Sequence, residues 1–444
     1  MHPGYRIYLA TLLFIGVFGK VAAQQNTRSP YSLFGAGNMH FDGFSDNIAL
    51  GHSGVAYRFE SNFNFVNPAS MSAMVHTAFN AGGFVEVGKF KTTTTVQSFS
   101  NAGFNYLSLG FPIKKLRSGM AIGILPVTDI GYNITNIKDS SGVSVRNEFE
   151  GSGGLSKLNF GIGTKVTKNI SLGLNYAFMF GQIDEVSRKR YPGSRLYTSM
   201  ADYNSVYLKG IKLDFGIQIH SDTNSKITHV FGAVISNTPH LKGYQDRFSY
   251  TYTEIFVGDE FVRDTIINQT GKAVKSTMPN HFSLSYSIGN HEKWQTTLGY
   301  TQTMWSNYRS IFGENNGFVN DNQISFGAFI CSKPIYDKTV KNNKVTNYLK
   351  SIRYSVGYRN NSGFININGN KVAETGLSAG FGFPFTKMHK KVDGTRVTIT
   401  SRLFLTGEYV MRGSTKNNLL REDFFKITIG LNLSDTWFNK RMYD

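Results

Sequence analysis

Apolar and polar residues alternate in segments of about ten along most of this chain, the signature of strands with one face to hydrocarbon and one to water or protein. Near the C-terminus Phe425, Ile427, Ile429, Leu431 and Leu433 fall on one side, and Lys426, Thr428, Gly430, Asn432 and Ser434 on the other. Phe282, Leu284, Tyr286 and Ile288 alternate in the same way with His281, Ser283, Ser285 and Ser287. So do Ile211, Leu213, Phe215, Ile217 and Ile219 against Lys212, Asp214, Gly216 and Gln218. A helix would not keep those charges on one face, so period two is the consistent reading.

The pattern predicts about fourteen strands, near 77–90, 101–113, 119–137, 146–166, 170–186, 204–220, 227–245, 276–289, 293–306, 320–334, 350–362, 373–385, 395–412 and 420–433. An even number returns the C-terminus to the side of the N-terminus, as in bacterial barrels. Short polar turns at 114–118, 167–169, 221–226 and 289–292 alternate with longer links, above all 187–203 and 246–275, which places the turns in the periplasm and the links outside. The links 335–349 and 386–394 are longer than that rule expects. The fold class is therefore all-β, a transmembrane antiparallel barrel over 77–444.

A soluble β-sandwich also alternates, but it hides its apolar face in a core. The strand number, the aromatics expected at the rims (Trp294, Trp305 and Tyr308) and an export leader favour the membrane. In that leader Arg6 precedes an apolar run from Ile7 to Phe18, and Val21-Ala22-Ala23 offers a cleavage point, so 1–23 reads as a signal peptide. The run is too short for a membrane helix, and Gln24 stands where a lipoprotein would carry Cys. These features point to the outer membrane of a Gram-negative envelope.

Composition refines the choice of partners. The formal charge is +18, of which Arg6 and Lys20 leave with the leader. Export argues against nucleic acid as the partner. The phosphate-rich head groups of outer-membrane lipids and lipopolysaccharide are the simpler match for Lys and Arg at the rims, beside plain solubilising charge on loops. The single Cys331 cannot form an internal disulfide. There is no phosphate-binding glycine loop, zinc spacing or nucleotide fingerprint, so no cofactor is expected.

Residues 24–76 do not alternate. They are rich in Gly, Asn and Ser and contain two short candidate helices, yet Phe34, Phe41, Phe44, Phe59, Phe63 and Phe65 are too many aromatics for a solvated tail. Within them runs Asn47-Ile48-Ala49-Leu50-Gly51-His52-Ser53-Gly54-Val55-Ala56, then Asn67-Pro68-Ala69-Ser70-Met71, then Ala78-Phe79-Asn80-Ala81-Gly82-Gly83. This order resembles the N-terminal signature of FadL-like long-chain fatty-acid transporters, in which a small-residue stretch and Asn-Pro-Ala lead into the first strand. The resemblance implies a fourteen-stranded barrel plugged by an N-terminal hatch, taking up hydrophobic molecules from outside. Ser29-Pro30-Tyr31-Ser32-Leu33-Phe34-Gly35 and the tail Trp437-Phe438-Asn439-Lys440-Arg441 resemble a divergent Bacteroidetes branch of such barrels. That branch also includes an accessory barrel of a protein-secretion system, so an exported protein partner stands beside a hydrophobic small molecule as a candidate ligand.

Several residues are candidates for the site. Pro126, inside the third strand, removes a ladder donor and would force a bulge; the resemblance suggests a gap there through which an apolar ligand slips sideways into lipid, the alternative being a misplaced strand end. Asn67, Pro68 and Ala69 would cap and start a short helix that anchors the hatch, or form a simple turn. Lys212, Asp214, Arg353, Arg359, Arg402, Glu408 and Lys426 point inward, where charges pair with one another or a cation holds a fatty-acid carboxylate. His281 and Ser283 share a face at the spacing of a lipid-hydrolysing pair, but no oriented third residue accompanies them, so the chain reads as a non-enzyme.

Overall fold

The computed structural model describes residues 29–436 apart from 141–142, 193–196, 223–224, 255–259, 291–292, 312, 316, 335–343 and 391–395. The expected leader and the tail 437–441 lie outside the described residues. A two-residue strand, β1 (Asn38–Met39), belongs to the N-terminal segment. The wall begins with β2 (Thr77–Lys91), β3 (Val96–Lys114), β4 (Ser118–Ser140), β5 (Val143–Lys165), β6 (Ile170–Arg190) and β7 (Ser199–His220). The chain continues through β8 (Thr228–Ser236), β9 (His240–Glu254), β10 (Glu260–Thr277), β11 (His281–Asn290), β12 (Trp294–Thr303), β13 (Asp321–Ile330) and β14 (Arg353–Asn361). A small hairpin of β15 (Asn366–Ile367) and β16 (Asn370–Lys371) precedes β17 (Glu374–Lys390), β18 (Arg396–Gly413) and β19 (Arg421–Asp435).

Around the ring neighbouring strands pair antiparallel, β8 with β11 and β14 with β17, while β9 and β10 stand outside it, and β19 closes on β2 from Arg421–Lys91 to Asp435–Thr77. Among the described residues fourteen strands close the ring: β2 to β8, β11 to β14 and β17 to β19. Closure is what hydrocarbon demands, because a free strand edge there would leave backbone groups unpaired. The alternating faces sort accordingly. Phe178, Phe215, Leu298, Val356 and Ile429 are exposed on the exterior, while Asn159, Asn175, Gln218 and Thr428 are buried inside.

Beyond the lipid-facing belt the structure departs from expectation. The stretches 187–203 and 246–275, read as loops, are largely strand: β6 and β7 lengthen outward, and β9 and β10 form a hairpin laid against the upper part of β7. Above the membrane both faces of a strand meet water or polar neighbours, so the hydropathy contrast that marks a strand fades. The expected strand 227–245 is broken between β8 and β9, where Asn237 exchanges bonds with Leu213 and Pro239 has no N–H to give. A helix runs Lys344–Ser351 ahead of β14. Trp305 and Tyr308 are not rim aromatics. They turn inward after β12 and are buried with Phe318 and Phe364, Trp305 stacking on Phe364 at 3.7 Å between ring centroids. Trp294 is partly exposed on the exterior.

Residues 29–76 plug the lumen. They contain a 3-10 turn at Pro30–Leu33, the one-turn helix α1 (Ser45–Ile48) and a 3-10 helix at Pro68–Ala73. Phe44, Phe63, Phe65, Met71 and Met74 pack against Tyr106, Ala121 and Leu125 of the wall. Asp46, its carboxyl pushed up by burial, accepts bonds from the Tyr57 hydroxyl and from Asn62 Nδ2 at 2.9 Å. Around this plug the wall presents inward glycines at contact height. A Cβ on Gly216 would lie 2.2 Å from Asn67 Oδ1, one on Gly232 2.3 Å from the Val55 carbonyl, and one on Gly357 2.0 Å from the Gly51 amide. Gly163, Gly173, Gly327 and Gly380 meet the hatch in the same way. The missing side chains let hatch backbone touch wall backbone.

Gly357→Val is therefore expected to unseat residues around Gly51 while the wall, whose ladder is unaffected, still forms. Limited proteolysis with mass mapping should show new cuts within 45–60 and an intact barrel; a cleavage map identical to that of the parent protein would refute the seating.

Candidate ligand cavity and wall opening

Among the described residues the wall is incomplete between β3 and β4. The β3–β4 ladder runs from Lys114–Ser118 to Leu107–Ile124 and stops there among the described residues. Two bulges at that height part the strands. On β3, Asn105 is extruded where the register to β2 shifts between Gly82 and Gly83. On β4, the register to β5 shifts between Pro126 and Thr128, opposite Ser156 and Leu155, and the next two residues of β5 along the ladder, Gly154 and Gly153, are both at positive φ. A bulge bends its strand and sharpens the twist, and Pro126 contributes by removing a donor. Above this point β3 pairs with β2 alone, and β4 follows β5.

The freed edge of β4 is covered by the hatch. β1 pairs as Asn38–Asp129 and Met39–Thr128, and the His40 amide donates to the Val127 carbonyl at 2.9 Å. Farther out the Ser29 amide donates to the Gly131 carbonyl, and the Gly131 amide to Ser32 Oγ. Gly37 makes the approach possible: its φ is +97°, and a Cβ would stand 2.4 Å from the Asp129 carbonyl.

Behind the opening lies a cavity of about 350 Å³ between hatch and wall, within the range of small-molecule sites. It reaches the opening at Phe99, Asn105 and Val127 and crosses the lumen to Lys212 and Arg359. Two ion-paired groups border it. Asp42 of the hatch meets Lys157 Nζ at 2.6 Å and Lys212 Nζ at 3.5 Å, and Lys212 also meets Asp214 at 3.1 Å. Burial alone would raise the Asp42 carboxyl, but the Lys157 and Lys212 ammonium groups hold it well below the usual carboxylate range. In the second group Arg359 binds Glu374 and, at 2.7 Å, Glu408; Arg412 binds Glu374 at 2.5 Å and Glu422 at 3.4 Å. The hatch joins it through His52 Nε2, 3.2 Å from Glu408, and through the Ser29 hydroxyl on Glu422. Lys426 stands apart. It lies across the ladder from Glu86 and Glu408, its Nζ sits 4.0 Å from the Phe84 ring centroid, and no ion pair or hydrogen bond joins it to the described residues.

The site candidates fall in several places. Lys212, Arg359, Glu408, Asp214 and Lys426 border the cavity. Pro126 lies at the bend beside the opening. Asn67, Pro68 and Ala69 lie apart from the cavity: Asn67 Oδ1 accepts from the Ala69 amide, its Nδ2 donates to the carbonyls of Val55 and Ile217, and Pro68 opens the 3-10 helix. Arg353 faces inward elsewhere, held between Phe59 and Phe329 at 4.7 and 4.3 Å from the ring centroids. Arg402 donates to the Pro334 carbonyl. His281 and Ser283 do not engage each other: His281 Nδ1 meets Ser236 Oγ at 3.1 Å, and Ser283 Oγ meets Thr301 Oγ1 at 2.9 Å. Asp42, Lys157, Glu374, Arg412 and Glu422 were not foreseen. Lys157, a cation on the inward face of an alternating strand, was detectable by period; Asp42, in a segment without period, was not.

Solved structures share this architecture. The chain superposes on the CymD monoaromatic hydrocarbon channel with a TM-score of 0.52 at 12% identity, over 89% of this chain and 98% of that one. A Pseudomonas aeruginosa FadL homologue gives 0.52 at 12% identity, over 90% and 98%. The Pseudomonas putida toluene transporter TodX gives 0.53 at 13% identity, over 90% and 99%. At such identities the likeness is one of fold, that of FadL-like plugged barrels. No curated protein sequence matches the chain. The family model described as BamG matches residues 6–444.

Asp42→Asn would leave the Lys157 ammonium buried without its counter-charge, a loss of about 3–5 kcal/mol. The expected result is a lower unfolding temperature in detergent and protease cuts within 29–76, both largely reversed by adding Lys157→Met. If the single variant melts and digests like the parent, the ion pair does not hold the hatch.

Proposed function

The chain belongs to the BamG family, and from that footing we propose that it is an outer-membrane conduit for passive uptake of small hydrophobic or amphiphilic molecules. The observation that carries this reading is the side opening between β3 and β4, backed by a cavity and closed by hatch backbone instead of wall. A molecule enters from the outside, rests between hatch and wall, and leaves sideways into lipid when β1 withdraws from β4. Phe84, Phe99 and Val127 supply apolar contact, worth roughly 25 cal/mol per Å² of apolar surface buried. The unpaired Lys426 ammonium suits the acid head of a fatty-acid-like compound. That the similar barrels include a monoaromatic hydrocarbon channel and a toluene transporter supports the same class of cargo. No step requires a cofactor or energy coupling.

A second reading rests on a separate observation, the sheet of β4 to β7, β9 and β10 that stands beyond the lipid belt. In an accessory barrel of a secretion or surface-assembly system, that sheet would dock an exported protein and nothing would cross the lumen. A stoichiometric protein partner recovered from detergent extract, together with no uptake, would favour it.

The test pins the hatch. Met39 and Thr128 lie directly opposite across the β1–β4 pair, within the span a disulfide bridges, and the native Cys331 is buried. In vesicles holding Met39→Cys/Thr128→Cys, uptake of labelled fatty acid or toluene should fall about tenfold on oxidation, equivalent to about 1.4 kcal/mol on the barrier, and recover on reduction. Equal rates in oxidised, reduced and protein-free vesicles would refute the conduit.

A further inference from the structure

On the exterior, the last lipid-facing residues of β6 and β7 before the wall leaves the membrane are Phe178, Phe180 and Ile211, all exposed. The next outward residue of β7 is Lys209. It lies directly opposite Lys242 of β9, which lies directly opposite Lys275 of β10. On its other side Lys209 is paired with Phe180. Three exposed lysines thus stand in one register on three adjacent strands, just above hydrocarbon. One row farther out Tyr207 and Tyr244 are opposite each other, their rings stacked at 4.6 Å.

Opposite neighbours on a sheet face have Cβ atoms about 5 Å apart, and like charges so placed destabilise the pairing. Elsewhere on the same sheet the arginines are held by acids: Arg247 pairs with Asp202, Arg188 with Glu150 and Glu260, Arg190 and Arg146 with Glu148. Lys209, Lys242 and Lys275 have no ion pair or hydrogen bond to the described residues. A row of repelling charges is stable when an anion from outside lies over it. At this height, with apolar side chains directly below, the anion with access is a lipid head group.

We propose that Lys209, Lys242 and Lys275 bind the phosphate groups of a phosphorylated glycolipid of the outer leaflet, whose acyl chains lie against Phe178, Phe180 and Ile211. Lysine suits this role, being a compact charge on a flexible stem that follows several phosphate positions. The stacked tyrosines bound the site on the side away from hydrocarbon. The site rests on the barrel's place in the membrane and is independent of whether anything crosses the lumen.

The full chain and a Lys209→Gln/Lys242→Gln/Lys275→Gln variant are to be titrated in detergent with bisphosphorylated lipid A, with phosphatidylcholine and with inorganic phosphate, binding being read by native mass spectrometry. The variant should bind lipid A about a hundredfold more weakly, and the parent's binding should weaken as salt rises. Inorganic phosphate should not displace the lipid, and both proteins should bind phosphatidylcholine alike. Because the three side chains are exposed, heat-modifiable migration of the variant on gels should match the parent's, and its uptake rate is a separate readout. Equal lipid A binding by parent and variant, or displacement by inorganic phosphate, would overturn the site.

Discussion

In hydrocarbon a backbone N–H or C=O without a partner costs several kcal/mol, and most of this structure can be derived from that cost. It forces the strands into a closed ring, sealed where β19 meets β2. It also explains the hatch's position. Where β3 and β4 part, the hatch supplies bonds to the β4 edge through Asn38, Met39, His40 and Ser29. The plug therefore completes the wall as well as filling the lumen, and moving it is coupled to satisfying that edge by another route.

The contacts that hold the hatch are of two kinds. Backbone seated on inward glycines, with the aromatic cluster around Phe44 and Phe63, gives close packing with little latitude. The ion-paired groups at Asp42 and at Glu408 are costly to desolvate and add less net stability than their number suggests, yet breaking one strands a buried charge. Steric seats and charge pairs together define one position for the plug, and the charge pairs border the cavity, where a bound molecule meets them. An external counterpart exists on the sheet above the membrane, where Arg146, Arg188, Arg190 and Arg247 find acids and the row of Lys209, Lys242 and Lys275 does not.

The candidate site was legible in part. Lys212, Arg359 and Lys426 could be placed inward because period two assigns a face to each residue once a strand is recognised. Their partners could not: Asp42 sits in an irregular segment, and the pairing of Arg359 with Glu374 and Glu408 depends on strands that meet only in the closed wall. For Arg353 period two assigned the face alone, since facing inward does not say at which height of the lumen a side chain lies or what it meets there.

By itself the sequence determined the class of fold and the number of wall strands, because alternation is local and each strand carries it independently of its neighbours; of residues 24–76 it showed a segment without alternation but rich in aromatics, and the plug was what the family resemblance implied. It also marked Pro126 as a break in the third strand. Only the tertiary structure decided that β3 bulges at the same height, that hatch backbone covers the resulting edge, and that supposed loops continue as strands. Those features come from pairings between residues distant in the chain, whose register is set by closure of the ring and by the shape of what fills it, and no local pattern records either.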